Sequence, residues 1–368
     1  LPGSSTGIPK ADPDPPTKAS LQESPKSNPL VSVIVVNWNG RELLNPCLEA
    51  LEKQTWPNIE FILVDNGSKD GSRELLASWA KRLPKAQAIL LPTNTGFCTG
   101  NNVGFSYARG EWIALLNTDA IAHPDWLAEL VRYGDSRQRI GMLASKILFQ
   151  HPANVIDKVG HLIYWDGQNR GRGTMAEDVG QYETPEETLW PDACAALYHR
   201  EVFEETGGFD EDLFAFGDDA DLGMRARLLG WKAWYVPSAV VHHRHSASFG
   251  AYSPLKAMLV ERNRVLLAVK SFPWSLLLQN PFWTTTRLFW NAYGLLARKG
   301  SASRFLETNG WRQTTLSLVR SYAGALKLLP GALRKRHRIQ KTRRLSNRET
   351  RELLRRFQID VRELTLRD

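Results

Sequence analysis

The sequence predicts an α/β fold with a doubly wound, mostly parallel twisted sheet flanked by helices. Two observations carry this prediction: short β-branched apolar runs without polar alternation, and helix-periodic segments between them. Strands buried on both faces read as continuous apolar runs, and strands alternating with helices at this spacing make βαβ units. The first run is Leu30–Asn37, LVSVIVVN. Leu43, Leu44, Cys47, Leu48 and Leu51 then recur at helical spacing, and Ile59–Asp65, IEFILVD, is the second strand. Leu75, Leu76, Trp79 and Leu83 mark a second helix and Ala88–Leu91 a third strand. Thr99–Ala108 reads as helix, and Glu111–Asn117, EWIALLN, as the fourth strand. From about residue 140 to 270 the strands shorten and the loops lengthen; from 271 onward the pattern is helical, rich in aromatics and then in arginine.

The ends of the chain differ from its body. Residues 1–29 hold 7 of the 20 prolines and few large apolar groups, so a disordered Pro/Ser-rich leader is expected there. The first five residues, LPGSS, lack a signal-peptide pattern. The net charge of +8 comes from 47 Lys+Arg against 39 Asp+Glu, and residues 331–368 alone hold 13 basic and 5 acidic side chains. The remaining body is charge-balanced, which argues against a body-wide nucleic-acid surface. A hydrophobic content of 42% with 13 Trp supplies a large core and excludes a mainly disordered chain. Three cysteines without a CxxC give neither a disulfide framework nor a zinc site and point to a reducing compartment. No run of 18 apolar residues occurs, so no spanning helix is expected.

Ligands of open parallel sheets bind beyond the carboxyl ends of the strands. Polar clusters stand at those ends: Asn37-Trp38-Asn39, Asp65-Asn66-Gly67-Ser68 and Asn117-Thr118-Asp119. Each alone is ordinary turn chemistry; three on one edge point to a site. The segment Asn94–Gly104, NTGFCTGNNVG, has glycines that let backbone N–H groups and a helix N-terminus approach phosphate oxygens, yet it is not a P-loop. A GxGxxA pattern at Gly171–Ala176 follows no clear strand and is set aside. Asp210, Glu211, Asp212, Asp218, Asp219 and Asp221 crowd twelve residues with Leu213, Phe214 and Phe216 among them. Like charges in a partly apolar setting have raised pKa values, suited to a general base or to metal binding. His242, His243 and His245 follow the strand-like Lys232–Val241 and offer a nitrogen ligand.

Taken together, VSVIVVNWN, ILVDNGSKDGS, NTGFCTGNNVG, ALLNTDA, ETGGFDEDLFAFGDDADLGMR, GWKAWYVPSAVVHH and ERNR resemble, in order, an inverting family 2 glycosyltransferase of the GT-A fold. The resemblance spans about residues 30–265 and is nearest to rhamnosyltransferases of polysaccharide assembly. It implies that Asp65 binds the nucleotide base and that Asn37, Asn39, Asn66 and Gly96, Phe97, Asn101 and Asn102 line the nucleotide-sugar pocket. Asn117, Thr118 and Asp119 take the DxD position, with Asp119 and His243 holding Mg²⁺ or Mn²⁺. Asp219 is implied as the catalytic base, with Asp218, Asp221 and Arg225 on the acceptor side. Two positions depart from the family pattern, Asn117 for the first acid of DxD and Asp218 for the glutamate of the ED pair; Cys194-Ala195-Ala196 replaces a glycine-containing stretch.

These readings divide the chain into the leader, a GT-A glycosyltransferase domain over 30–270, and a helical, aromatic then basic region over 271–368. The expected reaction moves a sugar, rhamnose from dTDP-rhamnose, to a lipid-linked or polysaccharide acceptor. Alternatives are another donor sugar (galactofuranose, mannose or glucose) or a non-catalytic membrane- or nucleic-acid-binding protein on the same fold. Seven aromatics between Phe272 and Tyr293 and the basic run Arg334–Arg338 suit an anionic membrane surface, giving a cytoplasmic, peripheral protein with no nucleic-acid partner.

Overall fold

A computed structural model describes residues 28–135, 138–244 and 252–367. Nearly all of the expected leader, His245 and the segment Ser246–Gly250 lie outside the described residues.

The first half follows the predicted alternation. Strands β1 (Val31–Asn37), β2 (Ile59–Asn66), β3 (Ala86–Leu91) and β4 (Trp112–Leu116) are joined by helices α1 (Arg41–Glu52), α2 (Ser72–Arg82) and α3 (Gly96–Tyr107). β1 pairs in parallel with both β2 and β4, and β2 with β3. The chain runs outward from β1 to β3 and then returns to β1's other side, which opens a crevice beyond the carboxyl ends of β1 and β4.

The short strand β5 (Ala120–Ala122) and helix α4 (Trp126–Tyr133) precede the long β6 (Ile140–Phe149). Next come three-residue strands, β7 (Ile156–Lys158), β8 (His161–Ile163), β9 (Asn169–Gly171) and β10 (Glu186–Thr188), followed by β11 (Ala195–His199). Helices α5 (Arg200–Thr206) and α6 (Asp218–Leu228) lead to β12 (Lys232–His243). β11 inserts antiparallel between β4 and β6, while β12 runs parallel to β6. The main sheet reads β10-β12-β6-β11-β4-β1-β2-β3 and is mostly parallel. One face buries Leu44, Leu48, Trp79 and Trp126; the other buries Phe203, Phe209, Leu222 and Leu266.

The C-terminal region is helical: α7 (Pro254–Ser271), α8 (Trp274–Leu277), α9 (Asn280–Ala297), α10 (Gly300–Thr342), α11 (Asn347–Arg356) and α12 (Val361–Leu366). Ser253 caps α7 by accepting from Lys256 N, and Pro254 opens the helix where its missing N–H costs nothing. α10 breaks at Gly310, whose φ of 74° leaves the helical region.

Basic residues of this region are packed against the rest of the fold. Leu353, Leu354 and Phe357 are buried in one cluster with Trp190 and Phe272. Arg336 is buried, donates from Nη1 to the carbonyls of Val269 and Phe272 at 2.7 Å, and lies over the Trp274 ring. Lys335 pairs with Asp210 and Asp212. Composition cannot register that the partners of Arg336 lie 64 and 67 residues earlier and those of Lys335 123 and 125 residues earlier.

Candidate active site

A cavity of about 410 Å³ opens beyond the strand ends. Val36 and Trp38 at the end of β1, Asn66 at the end of β2 and Asn117, Thr118 and Asp119 after β4 form one wall. The opposite wall comes from Lys158, His161 and Asn169–Gly171 of the short strands and from Lys256, Asn263 and Arg264 of α7. Phe214–Asp219 and Gly96–Phe97 close the sides, and Asp192, Ala193 and Cys194 complete the lining.

Sheet register brings the predicted metal ligands together. β12 pairs antiparallel with β5, His243 opposite Ala120, and Arg244 N donates to Asp119 O at 2.8 Å. His243 Nε2 consequently lies 3.2 Å from Asp119 Oδ1, while its Nδ1 sits 2.6 Å from Asp157 Oδ2. A carboxylate behind one imidazole nitrogen fixes the ring and leaves the other nitrogen aimed at a ligand, the arrangement that supports a metal-binding histidine. Burial alone pushes the His243 imidazolium down, but Cys194, Asp119 and Asp157 outweigh it and hold the ring well above the usual histidine range. Burial would likewise raise the Asp119 carboxyl; the His243 ring holds it below its ordinary value.

The acidic cluster divides by role. Asp210 pairs with Lys270 and Lys335, and Asp221 with Arg225 at 2.8 Å and Lys270 at 2.5 Å. These carboxylates are consumed by the buried Lys270 and Arg225 and the half-buried Lys335. Arg225 also donates to the carbonyls of Thr206 and Gly208. Asp221 and Arg225, expected on the acceptor side, therefore stand behind the cavity and do not line it. Asp218 and Asp219 do line it, at the N-terminus of α6, where the helix dipole favours negative charge. Burial raises both carboxyls above the aspartate range, and for Asp218 the Asp219 charge adds to it.

The segment leading into these two acids is strained. Phe214 and Phe216 both have a φ of 66°, unusual for bulky side chains. Asn263, fully buried, holds the turn with Nδ2 at 3.1, 2.9 and 2.7 Å from the carbonyls of Leu213, Ala215 and Phe216. Gly96 is required opposite: its φ is 88°, and a Cβ there would lie 2.5 Å from the Phe214 ring.

Several residues expected in the nucleotide pocket act beneath it instead. Asn37 and Asp65 are fully buried; Asn37 Nδ2 donates to Ser68 Oγ at 3.1 Å and contacts Asp65 Oδ1 at 3.4 Å. Asp65 Oδ2 accepts from Ser68 N and faces Arg73 at 3.3 Å. Asn39 is exposed and pins the β1 loop to Ser68 and Lys69. Asn101 bonds to Phe97 O within its helix, and Asn102 is spent on Phe209 and Glu211. Asn66 reaches the cavity but also fastens the turn before α3, accepting from Thr95 N and donating to Gly96 O. Asparagines that sequence alone presents as ligand contacts are equally the residues that satisfy bent backbone.

A family model described as glycosyl transferase family 2 matches residues 32–207. The chain carries a glycosyl transferase family 2 domain. The O-antigen biosynthesis protein RfbC of Myxococcus xanthus is 29% identical over 233 residues, covering 61% of this chain and only 18% of that protein. An N-acetylglucosaminyl-diphospho-decaprenol L-rhamnosyltransferase of Mycobacterium tuberculosis is 26% identical over 244 residues, 60% of this chain and 78% of that one. Among solved structures, the mannosyltransferase PcManGT from Pyrobaculum calidifontis, in complex with GDP-Man and Mn²⁺, superposes with a TM-score of 0.51 at 19% identity, covering 84% of this chain and 92% of that one. This last likeness is one of fold, the GT-A arrangement.

The match to the glycosyltransferase domain ends before Asp218, Asp219 and His243, which the fold nevertheless returns to the same cavity. Lys158, His161 and Asp192 of that cavity escaped the sequence reading. His161, Asp192 and Asp219 offer ligand atoms within 4.8 Å of one another, a grouping that could hold a metal ion. Lys158 Nζ contacts Asp192 Oδ2 at 2.7 Å. His161 and Lys158 sit on three-residue strands too short to carry periodicity, and nothing local pairs them with Asp219. Only Asp192 had a neighbouring signal, in the Cys194 segment two residues on.

Proposed function

We propose that this chain transfers a sugar from a nucleoside diphosphate donor to an acceptor hydroxyl with inversion, the donor being dTDP-rhamnose and the acceptor a lipid-linked or polysaccharide glycan. The observation that carries the reading is one cavity bearing two separate groups, Asp119–His243 backed by Asp157, and Asp219 at the head of α6. Asp119 and His243 would hold Mg²⁺ or Mn²⁺, which when bound neutralises diphosphate charge. An oxygen and a nitrogen donor beside each other, with the ring fixed from behind, suit Mn²⁺ better than Mg²⁺, which prefers oxygen ligands. Trp38, Asn66 and the N-terminus of α3 at Gly96 would take the nucleotide, backbone N–H groups meeting phosphate. Asp219, its proton affinity raised by burial, accepts the proton of the acceptor hydroxyl as that oxygen bonds to the anomeric carbon and the bond to the diphosphate breaks. A single displacement of this kind inverts the anomeric centre. Rhamnose is favoured by the similarity to the mycobacterial rhamnosyltransferase over most of that protein's length.

The same reading sets the protein against an anionic membrane surface. Among the described residues no helix is long and apolar enough to cross a membrane. α9 and α10, however, expose Phe282, Phe289, Tyr293, Leu296, Trp311, Val319 and Leu326. From Trp311 to Thr342 the sequence holds eight Lys and Arg and no acid, the composition of an interfacial amphipathic helix. The exposed apolar helices, more than the packed tail, support this attachment.

Turnover of a panel of nucleotide sugars (dTDP-rhamnose, UDP-galactofuranose, GDP-mannose, UDP-glucose), with a diphosphopolyprenol-linked N-acetylglucosamine acceptor and with or without Mn²⁺, tests the reading. Metal-dependent dTDP release from dTDP-rhamnose is expected. Efficient use of a different sugar would overturn the donor, and no turnover with any donor and a range of acceptors would overturn the transferase.

A further inference from the structure

The base named above does not stand alone. His161 Nε2 lies 3.3 Å from Asp219 Oδ2 and 3.1 Å from Asp192 Oδ2. The hydrogen bond of that nitrogen goes to Asp192, and Asp219 stands beside it as an ion-pair neighbour. The other ring nitrogen, Nδ1, is buried with no hydrogen-bond partner among the described residues, so the ring is oriented entirely through Nε2. Its plane stacks near that of Trp190, 28° apart with centroids at 6.1 Å. Asp192 is itself fixed: Oδ2 contacts Lys158 Nζ at 2.7 Å and Oδ1 accepts from Cys194 N at 2.9 Å.

We propose that His161 is a positioning residue for Asp219: hydrogen-bonded to Asp192, which Lys158 in turn holds, its ring edge stands 3.3 Å from Asp219 Oδ2 and keeps that carboxylate in the orientation that receives the acceptor's proton. This inference rests on Asp219 being the base. β7 then supports both halves of the site through adjacent residues, Asp157 behind His243 and Lys158 behind Asp192. A metal ion held by His161, Asp192 and Asp219 is the competing use of the same atoms. The hydrogen-bonded arrangement is favoured because Lys158 already brings a positive charge to the Asp192 oxygen that such an ion would need. Asp219 is faced by His161 of β8, Lys158 of β7, Asp192 before β11 and its neighbour Asp218, with Lys256 of α7 in the same lining. Burial raises the Asp219 carboxyl; His161 and Lys158 oppose that rise, and Asp192 adds to it.

The test compares His161→Ala, His161→Gln and Asp219→Asn. With dTDP-rhamnose and diphosphopolyprenol-linked N-acetylglucosamine, His161→Ala should lower kcat about 100-fold, the scale of a misdirected reacting group, with donor KM changed less than about twofold. The acid limb of its kcat profile should move upward. His161→Gln, which keeps an N–H donor, should recover part of kcat and part of the limb. Independently of any substrate, the Asp219 carboxyl followed by ¹³C NMR, assigned through Asp219→Asn, should titrate at higher pH in His161→Ala than in wild type and between the two in His161→Gln. An unmoved carboxyl titration, or equal loss in the Gln and Ala variants, overturns the positioning role. A second equivalent of Mn²⁺ bound by wild type and lost in His161→Ala replaces it with the metal site. If Asp219→Asn retains turnover, the base assignment fails first; if it is inactive while His161→Ala is unimpaired, only the present inference fails.

Discussion

Glu261→Gln removes a negative charge on which three helices converge. Glu261 Oε1 accepts from Arg264 Nη2 at 2.6 Å, Arg287 Nη2 at 2.9 Å and the Tyr322 hydroxyl at 2.9 Å, joining α7, α9 and α10. Asp166 completes the cluster with Arg287 Nε at 2.6 Å. Burial alone would raise the Glu261 carboxyl, but Arg287 and Arg264 outweigh it and hold it at about 2 against an ordinary 4.5. At 1.36 kcal/mol per unit, that displacement corresponds to about 3 kcal/mol of stability, the same size as the roughly 3–5 kcal/mol lost when one member of a buried ion pair is removed. The folded value is depressed, so the contribution is complete above the unfolded value near 4.5 and disappears as pH falls through that value toward 2. Urea unfolding at pH 7 should find Glu261→Gln less stable than wild type by about 3 kcal/mol, with the gap closing between pH 4.5 and pH 2. A gap below about 1 kcal/mol at pH 7, or one that stays constant across the acid range, would refute the reasoning.

Other outcomes follow from the same geometry. Asn263→Ala leaves the carbonyls of the Phe214–Phe216 turn unpaired and should cost about 1–3 kcal/mol, while lowering kcat through the displaced Asp219; an unchanged rate would detach the turn from catalysis. Gly96→Ala meets both the φ of 88° and the Phe214 ring, so calorimetry should find weaker dTDP binding and a stability loss above about 1 kcal/mol. His243→Ala should abolish the Mn²⁺ stimulation of turnover, and retained stimulation would move the ion elsewhere. Replacing Leu318 and Leu326 together by Asp should reduce co-sedimentation with phosphatidylglycerol vesicles, and wild-type binding should weaken as salt rises; binding indifferent to both contradicts the membrane surface.

Much of the first half was legible because β1, β2 and β4 are buried on both faces, which gives apolar runs such as VSVIVVN and IEFILVD their unbroken character. That Asp119, Asp219 and His243 share one cavity is in keeping with their place in ordered motifs, each at a strand end or helix start. Asn37, Asp65, Asn101 and Asn102 show the limit of that reading. A polar side chain near a turn satisfies ligand or backbone with the same atoms, and burial decides which. Asp221 and Arg225 do not line the cavity because a helix carries acids on several faces; the cavity meets one, and Lys270 claims the other. His161 and Lys158 stayed hidden since their partners are distant in sequence and their strands have three residues each. The charge of the C-terminal segment was visible and its partners were not: Lys335 pairs with Asp210 and Asp212, and Arg336 donates to the carbonyls of Val269 and Phe272.

The central claim is that Asp219 accepts a proton from the acceptor during transfer from a nucleotide sugar. Its most direct measurement pairs turnover with binding in wild type and Asp219→Asn. dTDP-rhamnose is supplied with Mn²⁺ and diphosphopolyprenol-linked N-acetylglucosamine, dTDP release is followed across pH, and dTDP affinity is measured by calorimetry. The account predicts a wild-type rate that rises with pH through an acid limb above the ordinary aspartate range, and an Asp219→Asn variant that binds dTDP as wild type does but releases none. Turnover in Asp219→Asn at a rate near that of wild type would contradict it.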